Sequence, residues 1–140
     1  MGHYVPLALK ISPDLSQDEI KSIAQSLLAQ DIDGVITTNT TLDRTSLSGH
    51  SHASEPGGMS GGPLMEKATK VTRVLGQYLE NKIPIIAAGG ILSGMDAAEK
   101  FAAGAKLIQI YSGFIYKGPN LIKQINDYRS SQVGKSKSVI

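Results

Sequence analysis

The chain alternates between short apolar runs and longer segments in which apolar residues recur every three or four positions. In LALKI, residues 7–11, Leu7, Leu9 and Ile11 share one face while Ala8 and Lys10 share the other, which predicts a buried β-strand. Ser16 and Glu19 form the S-x-x-E signature of a helix start, and Ile20, Ile23, Ala24, Leu27 and Leu28 then fall along one helical face. A second strand is expected over 34–38, followed by a long segment, 42–62, rich in Ser, His and Gly and ending GGMSGG. Proline suits the first helical position, so a second helix is expected from Pro63, with Leu64, Ala68, Val71, Leu75 and Tyr78 as its stripe. PIIAAGG predicts a third strand from about Ile83, and Ser93 with Asp96 caps an alanine-rich helix that ends at Gly104. A fourth strand is expected over 107–111, and Pro119 begins a last helix through Leu121, Ile122, Ile125 and Tyr128.

Four strand-helix units in succession imply parallel strands joined by right-handed crossovers, hence an α/β fold. An open doubly wound sheet and part of a (β/α)8 barrel both fit that order. The unusual residues favour the barrel: Lys10, Thr38 with Asn39, Gly89 with Gly90, and Tyr111 with Ser112 all fall at or near the C-terminal ends of their strands. That end is where barrels build their sites, and a whole barrel needs about 250 residues. With 140 residues the expectation is one unit, 1–140, forming half of a (β/α)8 TIM barrel.

Composition narrows the function classes. At 41% hydrophobic and 19% charged, the chain has the profile of a soluble globular unit rather than a disordered one. A formal charge of +2, with only Lys135 and Lys137 in the tail making a locally basic stretch, argues against a nucleic-acid partner. That tail reads as a solvated, frayed terminus. The absence of cysteine excludes disulfides and thiolate metal sites. No run reaches the roughly 18 apolar residues of a membrane span, and no signal peptide is apparent. Met1, Gly2 and His3 read either as an added leader or as an internal start.

The candidate chemistry sits at the strand ends. GGMSGGP and AAGGILSG contain neither the P-loop nor the G-x-G-x-x-G pattern, yet Gly89 and Gly90, just before the helix at Ser93, could bring N–H groups close to a phosphate. A tight strand-to-helix turn explains those glycines equally well. Lys10 places an ammonium on an apolar strand, which calls for a partner, a ligand or escape to the strand end. Asn39 and the neighbouring threonines could hold a planar polar ligand through paired donors and acceptors, or simply make a turn. His50 and His52, without a carboxylate constellation, read as part of a mobile polar loop and not as a metal site; no metal is expected.

Five segments, ALKISPDLS, GVITTNTTLDR, GGMSGGPL, PIIAAGGI and LIQIYSGFIYKGP, in this order and spacing, resemble the C-terminal half of class 2 dihydroorotate dehydrogenases. The resemblance covers about residues 4–128, and TTNTTLDR with IYSGFIYKGP points to class 2 over class 1. It implies an FMN enzyme of de novo pyrimidine biosynthesis that oxidises dihydroorotate to orotate and passes electrons to quinone. Carried over residue by residue, it implies that Lys10 lies near the flavin N1 and O2 edge, where its charge stabilises the reduced, anionic flavin. Thr38 is implied as a further flavin contact, and Gly61, Gly90, Tyr111 and Ser112 as positions that bind the FMN ribityl and phosphate, mostly through backbone groups. Asn39 and Thr40 resemble the pair that hydrogen-bonds dihydroorotate.

The implied reaction takes a proton from C5 of dihydroorotate while a hydride leaves C6 for flavin N5. The family's general base is a serine on an earlier strand, and no serine here matches its motif, so no catalytic residue is assigned in this chain. Gly62 stands where the family often has a bulkier or basic residue, and AAGG at 87–90 where it often has GVGG. Members attach peripherally to the cytoplasmic side of the membrane, and reach quinone, through N-terminal helices outside these residues, whereas the chain itself is expected to be soluble. Four strands cut from a barrel leave two unpaired edges and an apolar inner face, so self-association of the isolated chain is expected. The alternatives are a non-catalytic, self-associating half-barrel and a fragment of another phosphate-binding barrel.

Overall fold

The computed structural model describes residues 3–136. Met1 and Gly2, in the stretch expected to be a leader or internal start, lie outside the described residues, as does Lys137 of the basic tail.

Four strands, β1 (Ala8–Ile11), β2 (Gly34–Thr37), β3 (Ile85–Ala87) and β4 (Leu107–Ile108), form one parallel sheet in the order β1-β2-β3-β4. Lys10 pairs in register with Ile36, which pairs with Ile86, which pairs with Leu107. This row and the next one, Ile11, Thr37, Ala87 and Ile108, belong to opposite faces of the sheet. The helices are α1 (Gln17–Ala29), α2 (Met65–Leu79), α3 (Gly94–Ala102), α4 (Ser112–Lys117) and α5 (Asn120–Ser136).

The helix starts follow local chemistry. Ser16 accepts from the Glu19 N–H while the Glu19 carboxylate accepts from the Ser16 N–H at 2.8 Å, a complete capping box for α1. Ser93 likewise accepts from the Asp96 N–H at the start of α3, and that helix is followed by Gly104 at φ 110°. Pro63 lies in a 3-10 turn, Gly62–Leu64, that leads into α2, so the α-helix begins two residues later than expected. Its stripe closes on Leu79, fully buried, rather than on the half-buried Tyr78.

The core lies between the outer face of the sheet and the helices. Ile11, Val35 and Ile85 pack with Ile20, Leu27, Val71, Leu75 and Leu79 in one cluster, and Ile91, Ala97, Leu121 and Ile125 form a second one under α3 and α5. The opposite face is uncovered: Ala8, Lys10 and Leu107 are exposed and Ile36 and Ile86 only half-buried. β1 is therefore not the buried strand expected from its pattern; Leu7 and Leu9 are 60% and 47% exposed because no further strand or helix flanks β1 on that side. β4 pairs over two residues only, and the segment expected as its end turns instead into α4, which the apolar pattern had not separated from the strand.

The polar segment after β2 is tied down rather than loose. Thr41 pairs with Met59 as an antiparallel bridge, and the Arg44 guanidinium donates to the Glu55 and Gly57 carbonyls. His52 has one carboxylate neighbour, Glu55 at 3.1 Å, and both are well exposed. No group of three or more metal-ligating side chains occurs among the described residues, and no helix among them is long and apolar enough to cross a membrane.

Candidate functional site

A cavity of about 350 Å³ opens at the C-terminal ends of the four strands. Parallel β/α packing directs successive loops to this one end, so residues far apart in sequence converge there. The eight residues carried over by the resemblance, Lys10, Thr38, Asn39, Thr40, Gly61, Gly90, Tyr111 and Ser112, line it, as does Gly89.

β1 contributes Lys10, whose Nζ donates to the Gln109 Oε1 at 3.3 Å. β2 runs into Thr38, Asn39 and Thr40. The Thr37–Thr38 peptide is cis, and the Asn39 N–H continues the ladder by donating to the Ile11 carbonyl at 2.8 Å. Thr38 is buried and its hydroxyl donates to the Asn39 carbonyl. Asn39 and Thr40 are exposed and line the cavity, and the Thr40 side chain lies against Gly58. Their amide and hydroxyl groups are of the kind that pairs with a planar polar ligand.

The loop before α2 contributes Ser60 and Gly61, the latter at φ 80°, a backbone region that favours glycine. The Ser60 and Ser112 hydroxyls lie 2.9 Å apart, which joins this loop to the start of α4. Gly90, at φ 77°, is packed so tightly that a Cβ there would enter the backbone of Met65 at the start of α2. The close approach locks the third strand's loop onto the second helix. The neighbouring Gly113 is equally constrained, since a Cβ there would meet the Ile91 carbonyl. Tyr111 is 81% exposed at the rim.

Among the described residues no acceptor takes the backbone N–H of Gly61, Gly90, Ser112 or Gly113. Unclaimed N–H groups in glycine-rich loops at the end of parallel strands suit an anion such as a phosphate, and a single nearby ammonium suits a second centre of negative charge. The donor set fits a phosphorylated, planar, polar ligand.

Behind the cavity a second polar cluster braces the loops. Lys67 on α2 reaches Asp14, after β1, at 2.8 Å and Asp43, after β2, at 2.9 Å, while Thr41 donates to Asp14 at 2.5 Å. Desolvation pushes the Asp14 carboxyl up, but Lys67, the Thr41 hydroxyl and the Leu42 N–H together hold it below its usual range. The Thr45 N–H, with Lys67 and the Thr45 hydroxyl, holds Asp43 far below its own. Hydrogen bonds to Asp14 and Asp43 raise Lys67 in turn. Lys100 on α3 is fully buried, its Nζ donating to the Met65 carbonyl at 3.1 Å, and desolvation lowers it to about 8 against the pull of Glu99 and Asp96.

Sequence reasoning overlooked Ser60 and Gln109. Gln109 carried a signal of the same kind as Lys10, a polar residue set between Ile108 and Ile110 at a strand end. Ser60 carried none, because serine is ordinary in a Gly-rich loop. A larger groove, about 490 Å³, lies between α3 and α5, but Ala97, Phe101, Ile125 and Tyr128 make it mostly apolar and it is remote from the strand ends.

Known proteins share this fold. The family model described as dihydroorotate dehydrogenase matches residues 2–131. A dihydroorotate dehydrogenase (quinone) of Aeromonas salmonicida is 61% identical over 122 residues, 87% of this chain and 36% of that protein. One from Vibrio vulnificus is 58% identical over 124 residues, 89% of this chain and 37% of that protein. The chain thus spans little more than a third of the length of the curated relatives it matches. Among solved structures, the DHODH of Eimeria tenella in complex with ferulenol superposes with a TM-score of 0.89 at 34% identity, covering 98% of this chain and 36% of that one. These neighbours are TIM barrels, so the four units here are part of a (β/α)8 barrel, and the uncovered inner face of the sheet has its explanation. Matched by the family model across nearly its whole length, the chain belongs to the dihydroorotate dehydrogenase family.

Proposed function

We propose that this chain is the FMN-binding half-barrel of a quinone-dependent dihydroorotate dehydrogenase of de novo pyrimidine biosynthesis, spanning residues 1–140 as one unit. The observation that carries the reading is the convergence of Lys10, the Asn39 and Thr40 side chains and the unclaimed N–H groups of Gly61, Gly90 and Ser112 on one cavity. It is supported by the naming of both bacterial relatives as quinone-dependent.

When bound, FMN supplies the redox chemistry, accepting a hydride from dihydroorotate and releasing electrons to quinone. The protein's part is binding, orientation and charge. Gly61, Gly90, Tyr111 and Ser112 hold the phosphate and ribityl chain through backbone groups, and Thr38 contacts the ring system. The Lys10 ammonium would favour negative charge on a ring system bound beside it. Asn39 and Thr40 pair with the amide and carboxylate groups of dihydroorotate and thereby fix the face it presents. No serine among these residues matches the motif of the family's general base, which leaves the base to the remainder of the barrel. The parent enzyme binds peripherally at the cytoplasmic side of the membrane, where quinone is reached through its N-terminal region. A full-length protein carrying this segment should therefore reduce quinone in the presence of dihydroorotate; a flavin-free, inactive preparation would refute the reading.

The isolated 140-residue chain is a different object: it lacks the catalytic base and self-associates. Its support is the pair of unpaired strand edges with Leu7, Leu9 and Leu107 exposed beside them. Light scattering should report a dimer or larger, and a stable monomer would count against this.

A further inference from the structure

Lys10 on β1 and Gln109, the residue that follows β4, come from the two outermost strand positions of the four, yet their side chains meet across the uncovered face at 3.3 Å. Both line the same cavity. The Gln109 N–H donates to the Ala87 carbonyl at 2.8 Å, so β3 fixes the backbone from which its side chain reaches back to β1. Among the described residues Gln109 supplies the only hydrogen bond to the Lys10 ammonium, and no carboxylate pairs with it.

We propose that Gln109 is a positioning residue that aims the Lys10 ammonium into the cavity while leaving its charge intact; this rests on the flavin reading above. A lysine side chain has four rotatable carbons and, unheld, disperses its charge among rotamers. The Gln109 amide oxygen accepts from the ammonium and so selects one direction. Being neutral, it does not cancel the field, as a carboxylate at the same place would. The spacing suits this task, because a glutamine just after the far strand spans the curled face that separates β1 from β4.

The test uses the full-length protein carrying this segment, with Gln109→Glu, Gln109→Met and Lys10→Met, and the double variant Lys10→Met with Gln109→Met. Three quantities are read: the midpoint potential of bound FMN, the FMN dissociation constant of the apoprotein, and KM against kcat for dihydroorotate. Gln109→Glu should shift the potential to more negative values and lower kcat about tenfold, with KM little changed. Gln109→Met should shift the potential in the same direction by less, and the shift should vanish in the Lys10→Met background because the residue acts through Lys10. A wild-type potential in both Gln109 variants, or an undiminished Gln109→Met shift without Lys10, would overturn the inference while leaving the flavin reading standing. A wild-type protein that neither carries nor takes up FMN would overturn both.

Discussion

Thr37 at the end of β2 and Thr72 on α2 share a hydroxyl hydrogen bond of 2.7 Å in a site closed to solvent. The Thr72 hydroxyl also reaches the Ala68 carbonyl at 2.8 Å. A hydroxyl has one proton, so with Thr72 donating to Ala68, Thr37 must donate to Thr72. The relay pins α2 to the strand immediately before Thr38 and Asn39 and thereby sets where those residues meet the cavity.

Replacing Thr72 with Val should destabilise the protein by about 1–3 kcal/mol, because the Thr37 hydroxyl stays buried without its acceptor. Adding Thr37→Val should restore part of the loss, since both polar groups are then gone. Urea unfolding of the two single variants and the double variant measures the coupling; strict additivity would mean the two hydroxyls are independent.

The Asp14, Asp43 and Lys67 cluster should give a broad pH optimum of stability. Asp14 and Asp43 are held below their usual values, so their contribution is present above about pH 4 and is lost as pH falls through their folded values. Lys67 is raised, so its share persists through neutral pH and is lost only when pH climbs through that raised value. All three are partly exposed, which keeps the effect small. Lys67→Met should lower the unfolding midpoint at pH 7, and the gap from wild type should close in acid; a gap independent of pH would contradict the ion-pair account.

Lys100 should act in the opposite sense. Its folded value near 8 lies below the ordinary 10.5, so between those limits the unfolded chain binds the extra proton and stability rises with pH. Below about pH 8 the buried ammonium is a cost, moderated by its bond to the Met65 carbonyl. The stability of wild type relative to Lys100→Met should therefore increase from pH 7 to pH 10 in denaturant titrations. A constant difference would show that Lys100 titrates as an exposed lysine does.

Much of this was legible in sequence because it depends on local pattern. The S-x-x-E box at Ser16, the cap at Ser93 and the two-residue alternation of the strands need only near neighbours, and each produced the element expected. α4 was missed because SGFIYK is six residues long, has no capping side chain and follows an apolar strand without a break. The order imposed on the loop by Arg44 and the Thr41–Met59 bridge comes from contacts across 11 to 18 residues, which no local signal carries. The burial expected of β1 failed for a different reason: its apolar face looks outward toward the helices, and the neighbouring unit that would cover Leu7 and Leu9 is not among these residues, which hold only part of the barrel. At the site, residue types at strand ends pointed to the cavity, whereas the partnership of Lys10 with Gln109 spans 99 positions and was invisible until the sheet was curled.

The central claim is that the cavity holds FMN in position for oxidation of dihydroorotate. Anaerobic addition of dihydroorotate to the full-length protein, followed by visible absorption, tests it most directly. Bleaching of a bound flavin band, with recovery on adding quinone and with both steps weakened by Lys10→Met, is the result predicted. A bound flavin that dihydroorotate leaves oxidised would contradict it.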